Sequence, residues 1–164
     1  MYKTPGVYIE EVAKFPPSVA PVATAIPAFI GYVENVIQPD GRDFTDEATR
    51  ITSLLEYEQV YGGGFVPDSY TVGIDTTAGN AVTAAGPTGG QHFYLYDALR
   101  QYFDNGGGPC YIVAVATYRT AGVINSVDRV ELEGGLAVLN KEDEPTLVLA
   151  PDGAALLNAG NPDD

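Results

Sequence analysis

The sequence predicts an α/β layer fold: a partial layered sheet with flanking helices, preceded by an extended N-terminal strand arm. Three observations carry this. Short apolar runs at Ala28 to Val33, Tyr111 to Tyr118 and Thr146 to Ala150 read as buried strands. Stretches with helical spacing lie between them. The Tyr111 to Tyr118 run is apolar on both faces, with Ile112, Ala114 and Ala116 alternating with Tyr111, Val113 and Val115. A strand of that kind is covered on both sides, as in a parallel sheet.

The central unit runs from Phe93 to Tyr118. Leu95, Leu99 and Tyr102 fall at i, i+4 and i+7, flanked by Tyr96 and Phe103, while Asp97, Arg100, Gln101 and Asp104 take the other side. Asn105 and Gly106 offer the left-handed conformation that ends a helix, and Pro109 prevents its resumption. The strand follows directly.

At the N-terminus, Val7, Ile9 and Glu11 alternate with Tyr8, Glu10 and Val12, entered through Pro5-Gly6. Two readings fit: an edge strand folded back on its own domain, or a strand added to another chain's sheet. Phe15 to Pro27 favours the second. Pro16, Pro17, Pro21 and Pro27 forbid helix and make a stiff extended spacer. Residues 1–27 therefore form arm and spacer, and residues 28–164 an α/β body.

Within the body, Gly31 in the first strand signals close packing or a bulge. Arg42 to Arg50 reads as a connector. Ser53 and Glu56 match a capping box for a helix over Leu54 to Tyr61, ended by Gly62-Gly63-Gly64. Phe65 to His92 is rich in Gly, Thr and Ala. Its weak alternation, at Tyr70, Val72, Ile74 and again at Val82 and Ala84, fits a projecting hairpin or a loop. Asp128 to Asn140 is a third helix, with Val130, Leu132, Leu136 and Leu139 inward. Gly134-Gly135 interrupts it at ~1 kcal/mol per glycine, which leaves two readings, one helix or two. Pro151-Asp152-Gly153 stops the third buried strand, and Ala154 to Leu157 opens a further helix.

With 164 residues, 45% of them apolar, the chain is one domain with a real core. Its 22 acidic and 8 basic residues give a net charge of −14. That surface repels phosphate, so nucleic acid and anionic membranes are poor partners. One cysteine, Cys110, permits no internal disulfide. The start, MYKTPGVYIEE, has no apolar stretch of the Sec signal type, and no apolar run reaches the ~18 residues of a membrane span.

Chemistry finds little foothold. Gly62 to Gly64 and Gly106 to Gly108 follow helices, whereas a phosphate-cradling loop precedes one. His92 is the only histidine, so a nucleophile–histidine arrangement would have to use it; a place beside a helix start points to capping or exposure. Asp152 lies just past a strand, where open α/β sheets bind ligands, yet turn formation also explains it. Asp40, Asp43 and Asp46 miss the spacing of a calcium loop, and Glu142 to Glu144 read as a solvated turn. No catalytic, cofactor-binding or metal-binding residue is expected.

Five pieces in order carry a resemblance: YKTPGVYIEEV, the spacer ending in AIPAFIGYVE, ITSLLEYEQVYGG, LYDALRQYFDNGGGPCYIVAVATY and KEDEPTLVLAPD. Together they resemble the N-terminal half of contractile tail sheath proteins, the outer sleeve of contractile phage tails and related extracellular contractile injection systems. The likeness covers most of the chain except roughly Phe65 to Gln91. The spacer form is closer to the injection-system branch.

The resemblance implies a structural protein without catalytic activity or cofactor. Tyr2, Pro5, Gly6, Val7, Tyr8, Ile9, Glu10, Glu11 and Val12 would form an inter-subunit strand arm added to a neighbouring protomer's sheet. The implied partners are neighbouring sheath protomers in a helical sleeve, an inner tube protein, and baseplate and terminator or cap proteins. The implied location is a virion tail or extracellular injection particle assembled in the bacterial cytoplasm. Sheath proteins continue into a C-terminal half and arm, so the chain is expected to be a fragment of a longer sheath protein or an accessory paralogue. Two alternatives belong to other classes: a tail terminator or cap protein, and a ligand-binding α/β domain using the strand ends near Asp152.

Overall fold

The computed structural model describes residues 25–87 and 92–158. The arm over Tyr2 to Val12 and nearly all of the proline spacer lie outside the described residues.

The fold is α/β. Four strands form a mixed sheet: β1 (Pro27–Val33), β2 (Ala48–Ile51), β5 (Cys110–Thr117) and β8 (Leu147–Leu149), in the order β2-β5-β1-β8. β1 runs parallel to β5 and β8, and β2 closes the far edge antiparallel to β5. β2 was hidden in the Arg42 to Arg50 connector. Its four residues are too few for alternation to register, and pairing with β5 makes the strand.

Helices cover both faces. On one side α1 (Leu54–Tyr61) and α2 (Leu95–Asp104) pack over Phe29, Val33, Ile51, Cys110, Ile112 and Ala114. On the other, α3 (Arg129–Leu139) packs over Ala28, Ile30, Tyr32, Val113 and Val115, with α4 (Gly153–Asn158) beside it. The period-2 alternation of β1 and β5 thus splits into two cores.

Local signals act as expected at several ends. Ser53 Oγ accepts the Glu56 N–H at 3.2 Å, while the Glu56 carboxylate accepts from Thr52 N and Oγ1. Gly62 and Gly106 have φ of 85° and 82°, the left-handed conformation that ends α1 and α2. Asp128 caps α3 by accepting the Val130 N–H at 2.7 Å.

Three expectations are decided, and two of them fail. Helix α3 is continuous through Gly134-Gly135. A Cβ on Gly135 would sit 2.5 Å from Ile30 Cγ2 and 2.7 Å from Val115 Cγ1, so the glycine brings the helix close to the sheet. Of the four residues expected inward on α3, Leu132 and Leu139 are buried, but Val130 is 73% and Leu136 47% exposed. Nor is the Thr146 to Ala150 run the buried strand expected, and among the described residues it has a neighbour on one side only. β8 is an edge, with Leu147 52% and Val148 44% exposed.

The 65–92 insertion contains a hairpin of β3 (Tyr70–Asp75) and β4 (Ala81–Pro87). Its root is held by Phe65, which meets Phe93 edge-on at 5.0 Å, and by Arg119, which donates to Val66 O and Asp68 Oδ1 at 2.7 Å each. A second small hairpin pairs β6 (Arg119–Thr120) with β7 (Val123–Ile124).

Candidate functional site

The nine arm residues singled out in the sequence lie outside the described residues, so the body is where chemistry can be located. Its most unusual group is Asp152, the one fully buried charged residue among those described. β8 stops at Leu149, while β1 runs on to Val33. The register between β1 and β5 also slips between Gly31 and Tyr32. Past the end of β8, the Tyr32 N–H lacks a strand partner, and Asp152 Oδ2 accepts it at 2.7 Å. The other oxygen, Oδ1, accepts from Tyr94 N and, at 3.1 Å, from Leu95 N.

Those last two N–H groups open α2. The residue at its N-cap, Tyr94, makes no side-chain capping bond. Asp152 caps the helix from 57 residues away in sequence. Burial pushes the Asp152 carboxyl up from its ordinary value, while the three N–H donors and the nearby His92 pull it down; burial prevails. Both carboxylate oxygens are engaged and the residue has no exposed surface, so the group fastens β1, α2 and the end of β8 together rather than meeting a ligand.

Tyr32 completes the fastening on the opposite face. Its hydroxyl donates to the Glu131 carboxylate and accepts the Asp128 N–H at 2.8 Å, tying the start of α3 to the sheet. Burial and the Glu131 bond push the phenol pKa well up.

The remaining candidates are structural in the same way. His92 Nε2 lies 3.4 Å from Asp97 Oδ2, and its ring meets Tyr94 edge-on at 4.5 Å. It caps nothing. Cys110 is fully buried beneath α1 and α2, and burial pushes its thiol up to about 12, far from a reactive thiolate. The first glycine cluster faces an anion of its own: Gly63 N–H donates to Glu34 Oε2 at 2.6 Å. In the second, Gly106 and Gly107 donate to Phe103 O and Tyr102 O and close α2. Asp40 and Asp43 cap the local N–H groups of Arg42 and Thr45. Glu144 accepts from the Tyr111 hydroxyl at 2.9 Å and stands 3.5 Å from Arg50.

Among the described residues no group of three or more His, Cys, Asp or Glu is placed to hold a metal ion. Among them, too, no helix is long and apolar enough to cross a membrane. The sequence pointed to Asp152 as a turn residue or ligand-site acid. Its burial could not be read locally, because its partners lie 57 to 120 residues away. No family model and no curated protein matches the chain.

Proposed function

We propose that this chain is a structural subunit of a contractile tail sheath, one that polymerises around an inner tube and shortens to drive the tube through a target envelope. The observation that carries the reading is the ordered set of five sequence pieces. Support comes from where three of them fall. AIPAFIGYVE contains β1, LYDALRQYFDNGGGPCYIVAVATY contains α2 and β5, and KEDEPTLVLAPD contains β8 and ends on Asp152. The three strands are adjacent in one sheet, and one carboxylate fastens β1 to the start of α2. The resembling residues are thus the ones that pack on each other, and the unmatched Phe65 to Gln91 segment holds the projecting hairpin.

In this reading the body is a rigid unit and the arm is a tether. Backbone pairing by the arm holds neighbours together while their bodies rotate during shortening. Head-to-tail contacts of this kind generate open helices, the symmetry of a sleeve. Neighbouring protomers, a tube protein and a baseplate are the partners, and no catalytic step is involved.

Immunogold labelling of contractile particles from producing cells, with antibody raised to residues 25–158, tests this. Label along the whole shaft is the expected result. Label only at one end makes the chain a terminator or cap, and absence from particles defeats both readings. Deleting Met1 to Ala13 should leave the body folded and abolish incorporation into sleeves.

A further inference from the structure

β1 and β8 run parallel and adjacent, and the chain leaves their C-terminal ends in opposite directions. From β1 it passes to α1 and α2 on one face of the sheet. From β8 it passes to α4, beside α3 on the other. The crevice at such a point is where open α/β sheets hold ligands. The first turn of α2 enters this one, and the N–H groups of a helix start favour an anion.

The crevice is shaped for one chemical group. Three N–H donors from two elements converge in it, Tyr32 from β1 and Tyr94 and Leu95 from the start of α2. One serves Asp152 Oδ2 and two serve Oδ1, so both oxygens of a planar carboxylate are matched. Gly31 has no Cβ, which would otherwise stand in the place of Oδ2. The same Cβ would lie 3.1 Å from Leu95 Cβ. Sheet and helix therefore leave a slot that fits a planar group and not a tetrahedral phosphate. The Tyr57 hydroxyl, fully buried and without a hydrogen bond of good geometry, feels the Asp152 charge. The surroundings of the carboxylate are thus polar beyond what Asp152 itself uses.

We infer that this crevice is a carboxylate-binding site whose occupant is the Asp152 side chain, supplied in cis by the segment that follows β8. In the native chain the site is filled and takes no external anion. Emptied, it takes a small planar carboxylate of the size removed. This holds whether or not the chain is a sheath subunit.

Truncation sets the ligand. Asp152→Ala removes Cγ and both oxygens, which are the heavy atoms of formate. Asp152→Gly removes Cβ as well, and the lost atoms are those of acetate. The test is thermal melting of the full chain in sodium formate or acetate against chloride at equal ionic strength. Formate at ~0.3 M should raise the midpoint of Asp152→Ala by about 2–6 °C more than chloride does, by binding the folded state alone. Acetate should do less for this variant, and more than formate for Asp152→Gly. In amide NMR the saturable shifts should centre on Tyr32, Tyr94 and Leu95. The parent chain, with its site filled, should show neither effect. Nor should Gly31→Ala combined with Asp152→Ala, where a methyl takes the slot. Should Asp152→Ala be unfolded in chloride, recovery of its far-ultraviolet circular dichroism in formate is the same readout. No carboxylate-specific response in either single variant, an equal response of the parent chain, or a response that survives in the double variant would each overturn the inference. So would equal amide shifts with phosphate, which would make the crevice a general anion site.

Discussion

Gly31 and Asp152 share one space. A Cβ built on Gly31 would fall well inside contact distance of Asp152 Oδ2, and 3.2 Å from its Cγ. The glycine in β1 exists so that a carboxylate can reach past it to the N–H of Tyr32 and the start of α2. The sheet and the helix layer above it are joined at this point through a single side chain.

Asp152→Ala leaves three N–H groups, of Tyr32, Tyr94 and Leu95, without their acceptor. Unpaired buried donors cost ~1–3 kcal/mol each, so the variant should lose about 3 kcal/mol or more in urea unfolding. Gly31→Ala should lose about 2–3 kcal/mol by overpacking. The double variant should be less destabilised than the sum by more than about 1 kcal/mol, because removing the carboxylate makes room for the methyl. Simple additivity would show that the two residues do not compete for space.

The adjacent glycines of α3 should respond with opposite signs. Gly134 is exposed with open space around its Cβ position, and Gly134→Ala should stabilise by up to ~1 kcal/mol through helix propensity. Gly135→Ala drives a methyl into Ile30 and Val115 and should cost ~1–3 kcal/mol. Thermal midpoints of the two variants on either side of the parent would bear this out. A stabilising Gly135→Ala would mean that α3 sits further from the sheet.

Cys110 should be sealed until the chain unfolds. At pH 8, iodoacetamide should label the native protein only as fast as it opens, and label it completely in urea. The thiol also adds an alkaline instability. Its proton leaves the unfolded chain near 9.0 but the folded chain only at about 12. The folded state therefore holds more protons in that window. The stabilisation is present in full below pH 9 and is lost as pH rises toward 12. Melting curves between pH 9 and 11 should fall less steeply for Cys110→Ala, the remaining slope including the buried tyrosines Tyr32, Tyr57, Tyr61 and Tyr118, whose phenols are likewise pushed up by burial.

The β3–β4 hairpin should be dispensable for the body. Tyr70, Val72, Ile74 and Val82 are all more than half exposed, and the described anchors lie at its root. Replacing residues 70–87 with a short Gly-Ser linker should change unfolding free energy by less than about 1 kcal/mol, measured in urea. A larger loss would place the hairpin within the cooperative core.

What could be read from the residues follows the range of the forces involved. The stop at Gly106, the cap at Ser53, and the doubly covered Cys110–Thr117 strand depend on neighbours within about one helical turn or on strand alternation. β2 was missed because four residues, ATRI, hold no periodic signal, and only the pairing with β5 makes them a strand. The alternation at Tyr70, Val72 and Ile74 marked the hairpin correctly as one of two readings.

By itself the sequence determined the α/β class, the helix and strand ends set by caps, glycines and prolines, and the order of segments that carries the sheath resemblance. Only the tertiary structure decided which apolar strand is an edge, that α3 runs unbroken over Gly135, and that Asp152 is a buried fastener. The reason is physical. Periodicity and capping act over a few residues, whereas burial is settled by contacts such as Tyr32 with Asp152, 120 residues apart. An apolar run such as Leu147–Leu149 has the same composition whether it lies at the centre of a sheet or at its rim, and only the presence or absence of a neighbour tells the two apart.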